Sequence, residues 1–170
     1  YTPEDGQALG LAGMIENTIA LSQFDPSRDA PDSIEPIVRG DRRALSHALS
    51  AVENESVSAS LSSQLEEWSG SNTTEIPVLG ITGTGGAGKS SLTDELVLRF
   101  RMGLGDSVRI AILAVDPTRK RSGGALLGDR IRMNAINHPN IFMRSIATRG
   151  STTEIPDYVP TMINLCKCAG

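Results

Sequence analysis

Cysteine and histidine are scarce in this sequence, with two of each among its 170 residues. Cys166 and Cys168 form a C-x-C, and both histidines, His47 and His138, lie far from it along the chain. Because structural metal sites usually take four such ligands, a metal role for the C-x-C is disfavoured against ordinary thiols in a reducing compartment. His47 falls on a predicted helix and is interpreted as structural.

Aromatic residues make up only 4% of the chain, and no stripe interleaves them with basic residues. Nucleic acid is therefore not favoured as a ligand, since single-stranded bases are held largely by aromatic stacking. The longest strongly apolar stretch, Ile110 to Val115, has the length of a strand, and the N-terminus lacks the pattern of a signal peptide. We expect a cytoplasmic protein that binds neither nucleic acid nor membrane.

Charge is distributed unevenly along the chain. Residues 1–75 carry 4 basic and 13 acidic side chains, net −9, whereas residues 76–170 carry 12 basic and 7 acidic side chains, net +5. A cationic half suits a polyanionic ligand, and solvated surface charge explains much of any such excess.

The clearest motif is glycine-rich and reads Gly-Thr-Gly-Gly-Ala-Gly-Lys-Ser over residues 83–90. It fits G-x-x-x-x-G-K-[ST], and the strand predicted at 78–81 and the helix predicted after it distinguish a phosphate-binding loop from an ordinary glycine-rich turn. Glycines let successive backbone N–H groups converge on one anion, and the helix N-terminus adds partial positive charge. The stretch predicts the nucleotide site of a P-loop NTPase.

The motif assigns individual roles to its lysine and serine and a shared role to its other residues. Lys89 is expected to reach the β- and γ-phosphates and is the candidate catalytic residue, while Ser90 is expected to give its hydroxyl to Mg²⁺. The predicted nucleotide-binding residues are Gly85, Gly86, Ala87, Gly88, Lys89, Ser90 and Ser91.

Two aspartates are further candidates for the magnesium neighbourhood. Asp116 ends the next predicted strand, and ligands of open α/β sheets gather outside the carboxyl ends of strands. The alternative is an aspartate that merely starts a turn before Pro117. Asp129 follows the basic loop 119–124, and its alternative is an exposed helical acid paired with a nearby arginine.

Hydrophobic periodicity predicts three helices before the motif. The first has Thr2 as its N-cap, the second is capped by Asp41, and the third runs from about residue 56 to 68. Their predicted inner faces are Leu9, Ala12, Ile15 and Ile19; Ala44, Leu45, Ala48, Leu49 and Val52; and Val57, Leu61, Leu65 and Trp68. Residues 69–77 have linker composition, so we expect units at 1–24, 25–75 and 76–170.

After the motif, apolar runs predict strands at 108–115 and 140–146, and helices are predicted at 125–136 and 157–168. Such runs joined by helices are typical of a parallel sheet covered on both faces. The expected fold is α/β, a P-loop NTPase with a mostly parallel sheet preceded by an α-helical linker region. Three predicted strands are fewer than such a sheet ordinarily has, so we expect a segment of a longer protein.

Several stretches together resemble the G-protein chaperones of coenzyme-B12-dependent acyl-CoA mutases. The resemblance lies in residues 78–91, in Ala-Val-Asp-Pro at 114–117 and in Gly-Gly-Ala-Leu-Leu-Gly-Asp-Arg-Ile-Arg-Met at 123–133. Residues 39–45 resemble the helical segment before the GTPase domain of those chaperones. Residues 1–15 are similar to the last helix of a cobalamin-binding domain. A cobalamin-binding domain joined directly to this GTPase is the arrangement of mutases fused to their chaperone.

This resemblance implies a GTPase that guards loading of adenosylcobalamin into a mutase and removal of damaged cofactor. It implies GTP or GDP on the loop, Mg²⁺ on Ser90, and Asp116 and Asp129 in the magnesium and switch region. The implied partners are the cobalamin-binding and mutase domains of the same polypeptide, in a homodimer. No D-x-H-x-x-G cobalamin motif and no N-K-x-D guanine motif occur in these residues, so cobalamin, guanine and isomerisation rest on the resemblance alone.

Three other functions stay open at this point. A stand-alone chaperone would share the same motifs. An ATP-dependent small-molecule kinase is possible because a P-loop fixes phosphates and does not read the base. A non-enzymatic hinge would use nucleotide only to shift populations between domain arrangements.

Overall fold

The computed structural model describes residues 1–23, 25, 27–72, 75–116, 133–148 and 155–170. Within these ranges six α-helices, one short 3-10 helix (Gly105–Ser107) and two strands follow one another along the chain. The helices are α1 (Pro3–Ser22), α2 (Glu35–Val38), α3 (Arg42–Glu53), α4 (Ala59–Ser71), α5 (Lys89–Leu104) and α6 (Val159–Cys168), and the strands are β1 (Ile110–Asp116) and β2 (Ile141–Ala147).

The two N-caps predicted from the sequence are confirmed. The Thr2 hydroxyl accepts the Asp5 N–H at 3.3 Å, while the Asp5 carboxylate accepts the Thr2 N–H at 2.8 Å, which is a capping box. At the start of α3, one oxygen of Asp41 accepts the N–H groups of Arg43 and Ala44 at 2.8 and 3.1 Å. Each side chain satisfies donors that the first helical turn leaves unpaired.

The two described strands pair in parallel, as predicted. The register runs from Ile110 beside Ile141 to Asp116 beside Ala147. Helices cover both faces of the pair, because Leu113 and Val115 pack toward the helical layer, whereas Ile110 and Ile112 pack toward α5. The chain therefore has the expected α/β architecture.

The larger core joins the helical region to the sheet. Residues of α2, α3 and α4 pack directly against β2 and α6, although they lie far earlier in the chain. The buried members are Ile37, Leu45, Ala48, Leu49, Val52, Leu61, Leu65, Ile146, Val159, Met162, Leu165 and Cys168. The predicted inner faces of α3 and α4 are confirmed, although Val57 packs against the core from a position before α4, which begins at Ala59. The boundary placed at 69–77 stays a prediction.

The strand predicted at 78–81 is wrong. These residues form no β-ladder, and Val78 and Leu79 are 57% and 70% exposed. A strand is defined by a neighbour that exchanges backbone hydrogen bonds with it, and within the described ranges β1 and β2 pair only with each other.

Three other predictions need correction. The first helix forms, but its predicted face, including Ile15 and Ile19, is exposed, and Gly10 breaks the helix with φ 63° and ψ 175°. The third helix extends to Ser71, into the predicted linker. Residues 133–136 form a turn and not the end of a helix, and residues 125–132 lie outside the described residues.

Candidate nucleotide-binding site

The glycine-rich loop has the backbone conformation that its sequence requires. Gly86 and Gly88 lie in the left-handed region, with φ of 79° and 85°, where L-residues with a Cβ are strained. No heavy atom of the described residues lies within 4 Å of the position that a Cβ would take at Gly85, Gly86 or Gly88. Four exposed residues, 85–88, thus form an open turn through which an anion can approach the backbone closely.

Lys89 folds back over this turn. Its Nζ donates to the carbonyl oxygens of Gly83 and Thr84 at 2.7 and 3.0 Å. The Ala87 N–H also donates to Thr84, at 3.2 Å, which closes the loop on itself. The ammonium is therefore held at the mouth of the loop, where its neutral carbonyl acceptors are exchangeable for the anionic oxygens of a phosphate.

Helix α5 begins directly at the loop. Gly88 is its N-cap residue without a side-chain cap, and the first intrahelical bond is from the Leu92 N–H to the Gly88 carbonyl at 2.8 Å. Ser90 and Ser91 follow in the first turn, Ser90 half-buried and Ser91 exposed. The partial positive charge of the helix N-terminus is thereby directed at the loop.

The structure places only part of the predicted magnesium neighbourhood. The backbone of Asp116 ends β1 and lies beside Ala147 of β2, at the carboxyl edge where ligands of such sheets bind. Asp129 and the basic loop 119–124 lie outside the described residues. Their roles stay predictions.

The donor set around the loop fits a phosphate–magnesium ligand. Among the described residues no group of three or more His, Cys, Asp or Glu side chains is arranged to hold a metal ion alone. Mg²⁺ at a P-loop does not need such a group, because it takes most of its octahedral shell from water and phosphate oxygens. Ser90, in the first turn of α5, is the described residue that would complete the shell.

The two cysteines do not form a reactive pair. Burial, and to a lesser extent the neighbouring Cys168, raises the pKa of the Cys166 thiol to about 12, and burial raises the pKa of Cys168 to about 11. Both thiols are therefore protonated at neutral pH, whereas nucleophiles and metal ligands are thiolates. The interpretation as ordinary thiols is supported.

Sequence reasoning missed three polar residues that join elements of the fold to one another. Asp94 of α5 accepts the Ala135 N–H at 2.8 Å, and Arg144 of β2 donates to Glu53 of α3 at 2.7 Å. A signal existed for Arg144, which is a charged residue inside an otherwise apolar strand and therefore needs a partner. Asp94 carried no comparable signal, since a single acid in an amphipathic helix is usually solvated.

A family comparison identifies the family of this chain. The sequence model of the family described as methylmalonyl-CoA mutase-associated GTPase MeaB matches residues 45–170, which include the whole loop, α5 and both strands. The chain belongs to this mutase-associated GTPase family. The family match confirms the α/β P-loop fold and extends into α3, in line with the shared core.

Individual relatives extend the similarity to the N-terminal helices. The chain is 54% identical over 169 residues, 99% of its length, to the fused isobutyryl-CoA mutase of Cupriavidus metallidurans, and covers 15% of that protein. It is 48% identical over its full length to the fused isobutyryl-CoA mutase of Nocardia farcinica, covering 16%. A putative GTPase of Pyrococcus horikoshii is 42% identical over 69% of the chain, and the match covers 36% of that protein.

The chain thus spans about one sixth of the fused mutases that it matches. The resemblance to mutases fused to a GTPase, inferred from residues 1–15 and 78–133, is confirmed. Across the described parts of this MeaB-family chain, no helix is both long and apolar enough to cross a membrane.

Proposed function

We propose that this MeaB-family chain binds GTP with Mg²⁺ and hydrolyses it to GDP and phosphate. The observation that carries the proposal is the left-handed turn at Gly86 and Gly88 with the Lys89 ammonium held 2.7 Å from the Gly83 carbonyl. A left-handed turn of this kind, with a lysine folded over it and a helix N-terminus directly after it, is typical of a site that binds a polyphosphate. The GTPase family supports guanine as the base.

The chemistry assigned to these residues is positioning and electrostatic stabilisation. Phosphoryl transfer to water demands little covalent participation from the protein. The loop amides and Lys89 bind the β- and γ-phosphate oxygens and offset the charge that develops on them, while Ser90 and, by resemblance, Asp116 and Asp129 belong to the Mg²⁺ neighbourhood. Mg²⁺, when bound, neutralises phosphate charge.

In the larger protein we propose that hydrolysis gates the loading and protection of adenosylcobalamin in an acyl-CoA mutase. Relatives named fused isobutyryl-CoA mutase support isobutyryl-CoA as one member of the isomerised pair, and the other proposed member is butyryl-CoA. The mutase and cobalamin-binding domains of the same polypeptide are then the partners, in a cytoplasmic homodimer.

Lys89→Ala tests the site. We expect GTP hydrolysis by the intact protein to fall by about 10²- to 10³-fold, as is typical when one preorganised donor is removed. Phosphate release under saturating GTP is the measurement. Lys167→Ala is the matched control, because Lys167 lies in the last turn of α6 and contributes to none of the loop contacts described above, so its loss should leave the rate unchanged.

A nucleotide titration separates the alternatives. Calorimetry should show GTP and GDP binding in preference to ATP, and chelation of Mg²⁺ should weaken binding. A preference for ATP would favour the kinase alternative, whereas unchanged phosphate release in Lys89→Ala would show that the lysine has been assigned wrongly.

A further inference from the structure

Helix α5 carries the proposed phosphate-binding residues Lys89 and Ser90, and little apolar packing holds it against the rest of the fold. Of its sixteen residues, all of which the structure describes, only Val97 is buried, at 3% exposure. Leu92, Leu98 and Phe100 are 52%, 41% and 48% exposed. Since packing alone provides few contacts, a directional polar contact contributes much of what fixes the position of this helix.

Asp94 makes such a contact. It lies four residues after Ser90, on the same face of the helix, and its carboxylate accepts the Ala135 N–H at 2.8 Å. Ala135 is 7% exposed and packs with Val97 and Ile141. A buried backbone N–H needs a partner, so this bond both satisfies Ala135 and ties α5 to the chain that enters β2.

We propose that Asp94 is a positioning residue of the nucleotide site. The inference rests on the proposed function, because the group that it positions is the Lys89–Ser90 turn. By joining α5 to Ala135, Asp94 fixes Ser90 relative to the sheet, whose carboxyl edge holds Asp116. GDP alone would be held by the loop and would move with α5. Mg²⁺, if Ser90 and Asp116 both held it, would bind with an affinity that depends on the distance between α5 and the sheet edge.

Asp94→Ala therefore has a specific expected effect in the intact protein. We expect the affinity for GDP with Mg²⁺ to fall by about 5- to 30-fold, the equivalent of one to two kcal/mol, and the affinity for GDP in the presence of a chelator to change much less. Asp94→Asn keeps an oxygen that accepts the Ala135 N–H and should restore most of the affinity. Calorimetry with and without Mg²⁺ measures all of these values.

Two further variants serve as controls for the Asp94→Ala measurement. The serine of Asp94→Ser is too short to reach Ala135, so this variant should show the same affinities for GDP as Asp94→Ala. Its hydroxyl helps to solvate the Ala135 N–H that has lost its partner. Glu95→Ala is the matched control, because Glu95 is 48% exposed and pairs at the surface with Arg99. Its GDP affinity should equal that of the wild type under both conditions.

Specific outcomes overturn the proposal. If a folded Asp94→Ala protein loses the same affinity for GDP with and without Mg²⁺, Asp94 has a general structural role. If Asp94→Asn binds GDP as weakly as Asp94→Ala does, the hydrogen bond to Ala135 is not the cause of the effect. Failure of the wild type to bind GDP at all would instead refute the proposed nucleotide site.

Discussion

At the scale of single residues, the loop depends on glycine at positions that only glycine adopts without strain. Gly88 has φ 85° and ψ 14° and is also the N-cap of α5. An L-residue in this left-handed conformation costs about 1–2 kcal/mol. With an L-residue at this position, the chain either bears this cost or changes the turn conformation that exposes the loop amides to a ligand.

Gly88→Ala should therefore weaken nucleotide binding. We expect the affinity of the intact protein for GDP with Mg²⁺ to fall by about 5- to 30-fold, the equivalent of one to two kcal/mol, measured by calorimetry. Gly103→Ala is the control, since no heavy atom in the described part of the chain lies within 4 Å of its Cβ position and its φ is not positive. Wild-type affinity in Gly88→Ala would show that the loop binds in another conformation.

At the scale of elements, polar contacts attach α3 to β2. Arg144 donates to Glu53 at 2.7 Å and to the Ser50 hydroxyl at 3.1 Å, and the side chains of Arg144 and Glu53 are 26% and 7% exposed. Arg42, in the first turn of α3, donates to the carbonyls of Pro139 and Ile141 at 2.8 and 2.7 Å and lies 5.9 Å from the centre of the Phe142 ring. The helix is thus bonded both to the strand and to the turn before it.

Glu53→Ala should loosen this attachment. Removing one partner leaves the Arg144 guanidinium partly buried without its carboxylate, and breaking a buried pair costs about 3–5 kcal/mol. We expect a value near the lower end, because a quarter of the Arg144 side chain reaches solvent. Native-state hydrogen exchange of α3 and β2 peptides reports this opening free energy in the intact protein.

The matched control for this pair is Glu35→Ala. Glu35 also pairs with an arginine, Arg39, but those side chains are 68% and 71% exposed. Exposed pairs contribute at most about 1 kcal/mol. Equal effects of the two substitutions would mean that burial of the Glu53 pair adds nothing.

At the scale of the whole molecule, α2, α3 and α4 and the β2–α6 unit share one core. Met162 of α6 is fully buried in it, with 0% exposure, alongside Leu49 of α3 and Leu61 of α4. A hinge at 69–77 that moved α2–α4 against the sheet would expose this core. The packing therefore favours a nucleotide response in which these helices move together with β2 and α6.

Met162→Ala tests this coupling. The cavity should cost about 2–5 kcal/mol, and hydrogen exchange should accelerate in α3 and α4 as well as in α6, because they open as one cooperative unit. Met102→Ala, at a methionine of α5 that is 78% exposed, should change none of these rates. Acceleration confined to α6 would instead support separate bodies joined by a hinge.

Much of the local structure was predictable because its causes lie within a few residues of one another. The caps at Thr2 and Asp41 satisfy amides at most three positions away, and the strand predicted at 108–115 forms at Ile110–Asp116. The glycine-rich loop, with its helix starting at Lys89, is likewise a local arrangement. Short-range hydrogen bonds and side-chain periodicity carry this information in the order of the residues.

The sequence by itself therefore determined the loop, its family, most of the helices and the parallel strands. Only the tertiary structure decided that the helical region shares a core with β2 and α6, that Asp94 and Arg144 hold elements together, and that residues 78–81 have no strand partner among the residues that the structure describes. Arg144 and Glu53 are 91 positions apart, and Asp94 and Ala135 are 41 apart. Periodicity shows that a face is apolar or that a charge needs a partner, but the partner is chosen by packing in three dimensions.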